Sequence, residues 1–312
     1  MKINFNIITQ KMESLAEKNN YLIESVKNNP YYILKIEKEN LTPEICIEAV
    51  SRDGTILRYI SKEIQTPEIC LAAVNNNGMS IMYTYHLSYE ISLAAVNNNG
   101  LAIDYIKKEF LTEEMLLAAV NKDGCAIELI EENLQTEEIL LAAVNQDGCA
   151  LEFIDEKIQT YEICLAAVNQ NVDSFTFVRK DLQTYEMCLY VVSQIGYALE
   201  FVREDLKTHE ILLAAVRCDG YALKFIDESM RTYDILHTAV TQNINSMEFI
   251  DKQTPEICIA AVSTHLHGIS CIKILKEHPY IAMIAYEKYG KKVLNFISDL
   301  DVKREIIESL GI

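Results

Sequence analysis

The chain has 312 residues, half of them apolar, and carries 46 acidic against 28 basic side chains for a formal charge of −18. That composition excludes a disordered chain, and the charge works against nucleic acid and anionic membranes over the average surface. No window approaches 18 uninterrupted apolar residues and Met1-Lys2-Ile3-Asn4-Phe5 lacks a long apolar core, so neither a transmembrane helix nor a signal peptide is expected.

Residues 1–19 are predicted as a polar cap of the kind that open helical arrays require. A phrase of 24 residues then dominates the chain: Thr-x-Glu-Ile-(Cys/Leu)-Leu-Ala-Ala-Val-x-x-(Asp/Asn)-Gly-x-Ala-(Ile/Leu)-x-(Phe/Tyr)-(Ile/Val), a polar stretch, and Leu/Ile with Gln/Lys before the next Thr. Its first residue recurs at Thr42, Thr66, Ser88, Thr112, Thr136, Thr160, Thr184, Thr208, Thr232 and Thr254, with seven intervals of 24 residues and two of 22. A fixed period of this size marks a stacked array of repeats. The array is predicted over 20–300, with clear copies at 42–277 and worn copies at 20–41, where Asn29-Pro30 replaces Asp-Gly, and at 278–300, where Gly290 is in register. Residues 301–312 are predicted as a C-terminal capping helix, with Asp301 capping Val302 to Leu310.

Within a copy, the leading Thr is an N-cap and Pro43, Pro67 and Pro255 follow it where proline is tolerated. Helix A of about ten residues follows; in the copy at Thr136 it runs through Ile139, Leu140, Leu141, Ala142, Ala143 and Val144, apolar nearly all round and so buried between neighbours. Gly148, with Gly54, Gly78, Gly100, Gly124, Gly196, Gly220 and Gly268 as its equivalents, is expected to end helix A in a left-handed C-cap. Val172 and Ile244 stand in its place in two copies and predict a different turn there, while His265-Leu266-His267-Gly268 predicts a lengthened one. Helix B of about eight residues comes next, with Ala150, Leu151, Phe153 and Ile154 inward and Glu152, Asp155 and Glu156 outward. The expected fold is all-α, a right-handed α-solenoid of about ten to twelve stacked helix–turn–helix repeats. Its handedness is by analogy with other helix-pair arrays.

Cys46, Cys70, Cys164, Cys188 and Cys258 share the fifth position with Leu, which reads as a small buried hydrophobe rather than a disulfide partner. Equivalent positions in stacked repeats lie roughly 8–10 Å apart, beyond the Cα separation a disulfide tolerates. A reducing compartment fits, and a cytoplasmic location (host cytoplasm or virion if the source is viral) is the expectation.

The phrase Leu-Ala-Ala-Val-x-x-(Asp/Asn)-Gly-x-Ala-(Leu/Ile)-x-(Phe/Tyr)-Ile resembles a family known as domain of unknown function 4116, most clearly at 92–155 and 208–227 and roughly over 42–275. The resemblance implies an uncharacterised helical repeat similar to those of giant DNA viruses of the mimivirus kind and of some intracellular bacterial effectors. It brings no catalytic residues with it.

Three rows of side chains are candidates for partner binding. Asn75, Asn97, Asn121, Asn145 and Asn169 share the tenth position, where a ladder of amides would hydrogen-bond an extended peptide; the plainer and favoured account is that Asn helps to end helix A. Asp104, Glu128, Glu152, Glu200 and Glu248 form an acidic stripe on helix B that a basic partner would read, against a solvated face that merely aids solubility. Arg58, Thr176 and Lys224 interrupt it. Tyr89, Tyr161, Tyr185 and Tyr233 follow the cap residue and are expected at the surface as contact anchors. A further aromatic row, Tyr59, Tyr83, Tyr105, Phe153, Phe177, Phe201, Phe225 and Phe249, is assigned to the core rather than to base stacking. His265, His267 and Cys271 match no standard zinc spacing, so no metal and no cofactor is expected.

No catalytic motif is present, and the expected function is non-enzymatic: a scaffold or adaptor offering a long face to a protein partner, with a basic face on that partner as one option. No nucleic-acid or membrane partner is expected, and the chain is expected to be a monomer or to self-associate weakly. A self-associating structural or virion component is the alternative, and an enzyme with its site in the worn end repeats comes third.

Overall fold

The structure, a computed structural model, describes residues 5–310, with side chains described from residue 15 to residue 309. Among the described residues every regular element is helical: thirteen α-helices separated by short 3-10 helices. The chain forms two compact units, one reaching Ile158 and one starting at Gln159. Each unit is a stack of α-helix plus 3-10 helix pairs, an α-solenoid in which consecutive helices pack on their neighbours.

In the first unit α1 (Phe5–Asn28) is followed by α2 (Pro43–Arg52), α3 (Pro67–Asn76), α4 (Tyr89–Asn98), α5 (Glu113–Lys122) and α6 (Glu137–Gln146). In the second come α7 (Tyr161–Gln170), α8 (Tyr185–Gln194), α9 (His209–Cys218), α10 (Tyr233–Gln242), α11 (Pro255–Thr264), α12 (Tyr280–Tyr289) and α13 (Leu300–Leu310). The repeat helices are ten residues long, as the phrase predicts. Residues 1–4, in the segment assigned to an N-terminal cap, and residues 311 and 312, at the end of the capping helix, lie outside the described residues.

Most helix starts follow the sequence closely, although Thr232 and Thr254 stand at the N-cap without a side-chain bond. Thr42 Oγ1 accepts from the Ile45 amide at 3.4 Å, Ser88 Oγ from Ile91 at 3.2 Å and Thr184 Oγ1 from Met187 at 3.2 Å. Such a cap contributes about 1 kcal/mol. Glu44 and Glu68 sit in the first turn with their carboxyls held below the usual range, Glu44 first by its own backbone amide and Glu68 first by the Thr66 hydroxyl. Buried side chains fall at the fourth, fifth, eighth and ninth positions, for instance Ile45, Cys46, Ala49 and Val50. The five cysteines of the fifth position are buried and free, as expected.

Helix B differs from expectation. It is a six-residue 3-10 helix, such as Gly54–Tyr59 or Gly148–Phe153, closed by bonds from residue i to i+3 such as Ile56 N to Asp53 O at 3.0 Å. A three-residue period explains it. Gly54, Leu57 and Ile60 fall on one edge and are all buried, because i and i+3 eclipse in this geometry. Many copies add a three-residue 3-10 turn, such as Glu132–Leu134. The copies at Thr66 and Thr232, each two residues short, lack that turn.

The glycines also serve a different purpose. No residue at these junctions is left-handed: the junction Asp or Asn is extended, as at Asp53 with φ −147° and ψ 102°, and its carboxylate or amide caps the 3-10 helix, Thr55 N donating to Asp53 Oδ1 at 2.9 Å. Glycine is needed because the next repeat's helix presses on it. A Cβ on Gly54 would lie 2.4 Å from Ala73 O, on Gly78 2.3 Å from Ala95 O and on Gly220 2.2 Å from Ala239 O. Among the described residues only Gly290 is left-handed, at φ 63°, with open space around it.

Three smaller expectations also change. Val172 and Ile244 do not alter the turn: Asn171 and Asn243 keep φ near −146° and −145° and cap as usual. The turn at His265 is not lengthened. Leu266 begins the 3-10 helix there, and Gly268 takes the place of the usual alanine. The last helix is capped by Asp299, whose Oδ1 accepts from the Asp301 and Val302 amides at 2.9 and 3.2 Å, so it starts at Leu300. Asn29 caps Pro30–Lys35 with the same extended geometry as the junction residues of the clear copies (φ −147°, ψ 103°).

Candidate functional site

Amide side chains form three rows, and they are used differently. One row is the last residue of five repeats, at Gln65, Gln135, Gln159, Gln183 and Gln253. Gln65 is buried, and its Nε2 donates to Leu57 O, Ile60 O and Tyr83 O at 3.3, 3.1 and 3.1 Å while Oε1 accepts from the Tyr85 amide at 3.1 Å and from Cys70 Sγ at 3.5 Å. One glutamine thus satisfies the open ends of two successive 3-10 helices. Gln183 and Gln253 make the forward half of this bridge, to Phe201 O and Arg203 N and to Cys271 O and Lys273 N. Arg231 substitutes for it, donating to Ile226 O and Phe249 O.

A second row lies at the eleventh position. Asn76 Oδ1 accepts from the Gly54 amide at 2.7 Å and its Nδ2 donates to Ser51 O at 2.9 Å; Asn98 clamps Gly78 and Asn75 O with the same distances. Gln146 accepts from Gly124 at 2.6 Å and Gln242 from Gly220 at 2.5 Å. Where they occur, these two rows tie a repeat to its neighbour within a unit. The sequence reading passed over both; the recurrence of Gln before the cap and of Asn or Gln one place after the tenth position was the available signal.

The tenth-position row, the candidate ladder, takes no part in this. Asn75, Asn97, Asn121 and Asn145 in the first unit and Asn169 in the second are exposed, and among the described residues none of their side-chain amides has a hydrogen-bond partner.

The acidic stripe lies on the outer edge of the 3-10 helices. Asp104, Glu128 and Glu152 in the first unit are exposed, and none has an ion-pair or hydrogen-bond partner among the described residues; Glu200 in the second unit is likewise exposed. Glu248 beside Tyr221 raises that phenol's pKa by accepting from it. The aromatic row next to the stripe is not core. Tyr59 is 45% and Tyr105 37% exposed, and Tyr83, Phe153, Phe177, Phe201, Phe225 and Phe249 are half-buried. The three-residue period is the reason, because it sends the inward edge through the positions of Gly148, Leu151 and Ile154 and leaves the ring between faces. Where the stripe carries a cation, that cation covers the adjoining ring: Arg58 Cζ lies 4.5 Å from the Tyr59 centroid and Lys224 Nζ 5.5 Å from that of Phe225.

Tyr89, Tyr161 and Tyr233 are exposed and Tyr185 is half-buried. Tyr89 and Tyr185 donate to Glu114 and Glu210, carboxylates in the first turn of the following helix, and those bonds raise both phenol pKa values. Tyr161 and Tyr233 are the more open of the second unit's contact candidates.

His265 and His267 are separated by their contacts. His265 Nε2 lies 3.1 Å from Thr241 O, whereas the His267 ring stands edge-on to Phe296 at 4.4 Å. Among the described residues no group of three or more His, Cys, Asp or Glu side chains is placed to hold a metal ion. An open cleft of about 590 Å³ in the second unit lies beside the shortened repeat, lined by Asp227, Glu228, Arg231 and Lys252 among others. Its Asp227 carboxylate accepts from the Ser229 amide and hydroxyl and Arg231 is committed to carbonyls, so those two charges serve local structure.

The family model for a domain of unknown function (DUF4116) matches residues 42–88, 66–111, 88–135, 136–183 and 184–231, overlapping spans that together cover 42–231. The chain belongs to this family. No curated protein and no solved structure matches it. Beyond the matched DUF4116 span the copies at Ile244 and Leu266 lack the junction glycine, as the matched copy at Val172 does, and keep the same helix pair. No helix among the described residues is long and apolar enough to cross a membrane.

Proposed function

We propose that this DUF4116 chain is a non-enzymatic scaffold whose repeated surface side chains bind an extended segment of a protein partner. The observation that supports this most is the contrast among the amide rows. Two are committed to joining repeats, while Asn75, Asn97, Asn121 and Asn145 stand free at equal register. An asparagine offers both a donor and an acceptor, which matches the alternating groups of a peptide backbone. The exposed Tyr89, Tyr161 and Tyr233 add rigid contact surface.

The test pans a library of unstructured peptides on the full chain and titrates the selected peptides against a chain carrying Asn97→Ala, Asn121→Ala and Asn145→Ala. Affinity is expected to fall at least tenfold while the unfolding midpoint stays within about a degree, because exposed unbonded side chains contribute little to stability. Equal affinity for both chains would remove the ladder, and parallel loss of stability would return these residues to the role of turn formers.

A further inference from the structure

The 3-10 edge of the first unit has a chemistry that the amide ladder does not use. Asp104 and Tyr105, Glu128 and Leu129, and Glu152 and Phe153 put a carboxylate beside an apolar or aromatic side chain in three successive repeats. The three carboxylates are exposed and unpartnered among the described residues; Tyr105 and Leu129 are 37% and 39% exposed and Phe153 is half-buried. The molecule itself shows what this edge accepts. At Arg58 and Lys224 the stripe position is cationic, and both cations lie over the ring that follows them. Where the stripe is acidic, the ring lacks such a cover and a carboxylate stands next to it.

Resting on the scaffold reading, we infer that the edge from Asp104 to Phe153 docks an extended partner segment with an arginine at every third residue. Arginine is favoured over lysine because its planar guanidinium stacks on a ring while forking to a carboxylate. The period comes from geometry. Stacked helices sit roughly 8–10 Å apart. A polyproline II segment rises about 3.1 Å per residue with three residues per turn, so every third side chain recurs at about 9 Å on one face. An arginine row on such a segment therefore meets Asp104, Glu128 and Glu152 in turn. The net charge of −18 adds long-range attraction to any basic segment, so the spacing, and not the charge alone, is the discriminating property.

The experiment titrates the full chain with two labelled peptides of identical composition, followed by fluorescence anisotropy. One is Arg-Pro-Ser repeated four times; the other carries its four arginines contiguously. The spaced peptide is expected to bind at least tenfold more tightly. A variant with Asp104→Asn, Glu128→Gln and Glu152→Gln should lose at least tenfold in that affinity. A control with Glu90→Gln, Glu113→Gln and Glu137→Gln, which removes the same charge from exposed sites in the same unit, should lose less than threefold. Equal affinity for the two peptides, or equal loss in the two variants, overturns the inference and leaves only diffuse attraction. Tyr105→Leu with Phe153→Leu provides a second arm and should weaken the spaced peptide about threefold; no change there also overturns the stacking geometry. If these arms fail while the asparagine variant still loses its selected peptides, the scaffold reading survives and only the partner's chemistry is wrong.

Discussion

The junctions that carry glycine and those that do not differ in what presses on them, not in how the backbone turns. At Gly54, Gly78, Gly100, Gly124, Gly196 and Gly220 an added Cβ would come within 2.2–2.7 Å of a carbonyl oxygen on the following helix. At Val172 and Ile244 the chain makes the same extended turn, with the same Asn cap, yet bears a branched side chain. The following helices α8 and α11 approach those 3-10 helices much less closely. In α8 the alanine pair is also replaced, by Tyr190 and Val191, so both sides of that junction are bulkier. Glycine in this repeat is thus a measure of how tightly the next helix is seated.

The largest effect should come from breaking that seat. Gly78→Ala would place a methyl group 2.3 Å from Ala95 O, backbone that cannot swing aside. Overpacking of this kind costs about 3 kcal/mol. Val172→Ala, where the next helix stands off, should cost no more than about 1 kcal/mol. Urea unfolding monitored by circular dichroism compares the two, and equal losses would show that close approach is not what selects glycine. Next comes the buried bridge. Gln65→Leu keeps the volume but strands the Ile60 and Tyr83 carbonyls and the Tyr85 amide, while Leu57 O keeps the Ile60 amide, and should cost about 2–3 kcal/mol by the same measurement. Gly290→Ala sharpens the comparison from the other side, since there the space is open and the backbone is left-handed (φ 63°). A loss of about 2 kcal/mol from strain alone is expected. The smallest contrast is between neighbours. Asn98→Ala removes the clamp on Gly78 and Asn75 O and should cost about 1 kcal/mol, whereas Asn97→Ala should stay within about 0.5 kcal/mol.

Most of the fold was readable, for reasons tied to particular residues. The caps at Thr42 and Ser88, the prolines behind the caps and the buried alternation of Ile45, Cys46, Ala49 and Val50 are local rules written once per repeat. The second helix was misread because six residues are too few to separate a period of 3.0 from one of 3.6. Ala150, Leu151, Phe153 and Ile154 satisfy both, and the aromatic row moves from the core to a half-buried edge on that choice. Gly78 was read from its own backbone, whereas its reason lies on Ala95, in the next repeat. The glutamine bridges were hidden for a similar cause. Gln65 looks like linker until the carbonyls of two successive repeats are seen to end around it. The candidate ladder of Asn75 to Asn169 was visible as a pattern; that its amides are free could only come from the placement of their neighbours at position eleven.

The buried thiols give the molecule a built-in stopwatch. Burial pushes Cys46, Cys164, Cys188 and Cys258 up to about 11 and raises Cys70 as well, so at neutral pH these sulfurs are almost wholly protonated and shielded from alkylating reagents. Each can react only when its own repeat opens. Mass spectrometry of timed alkylation would therefore rank how often individual repeats breathe, with no residue changed.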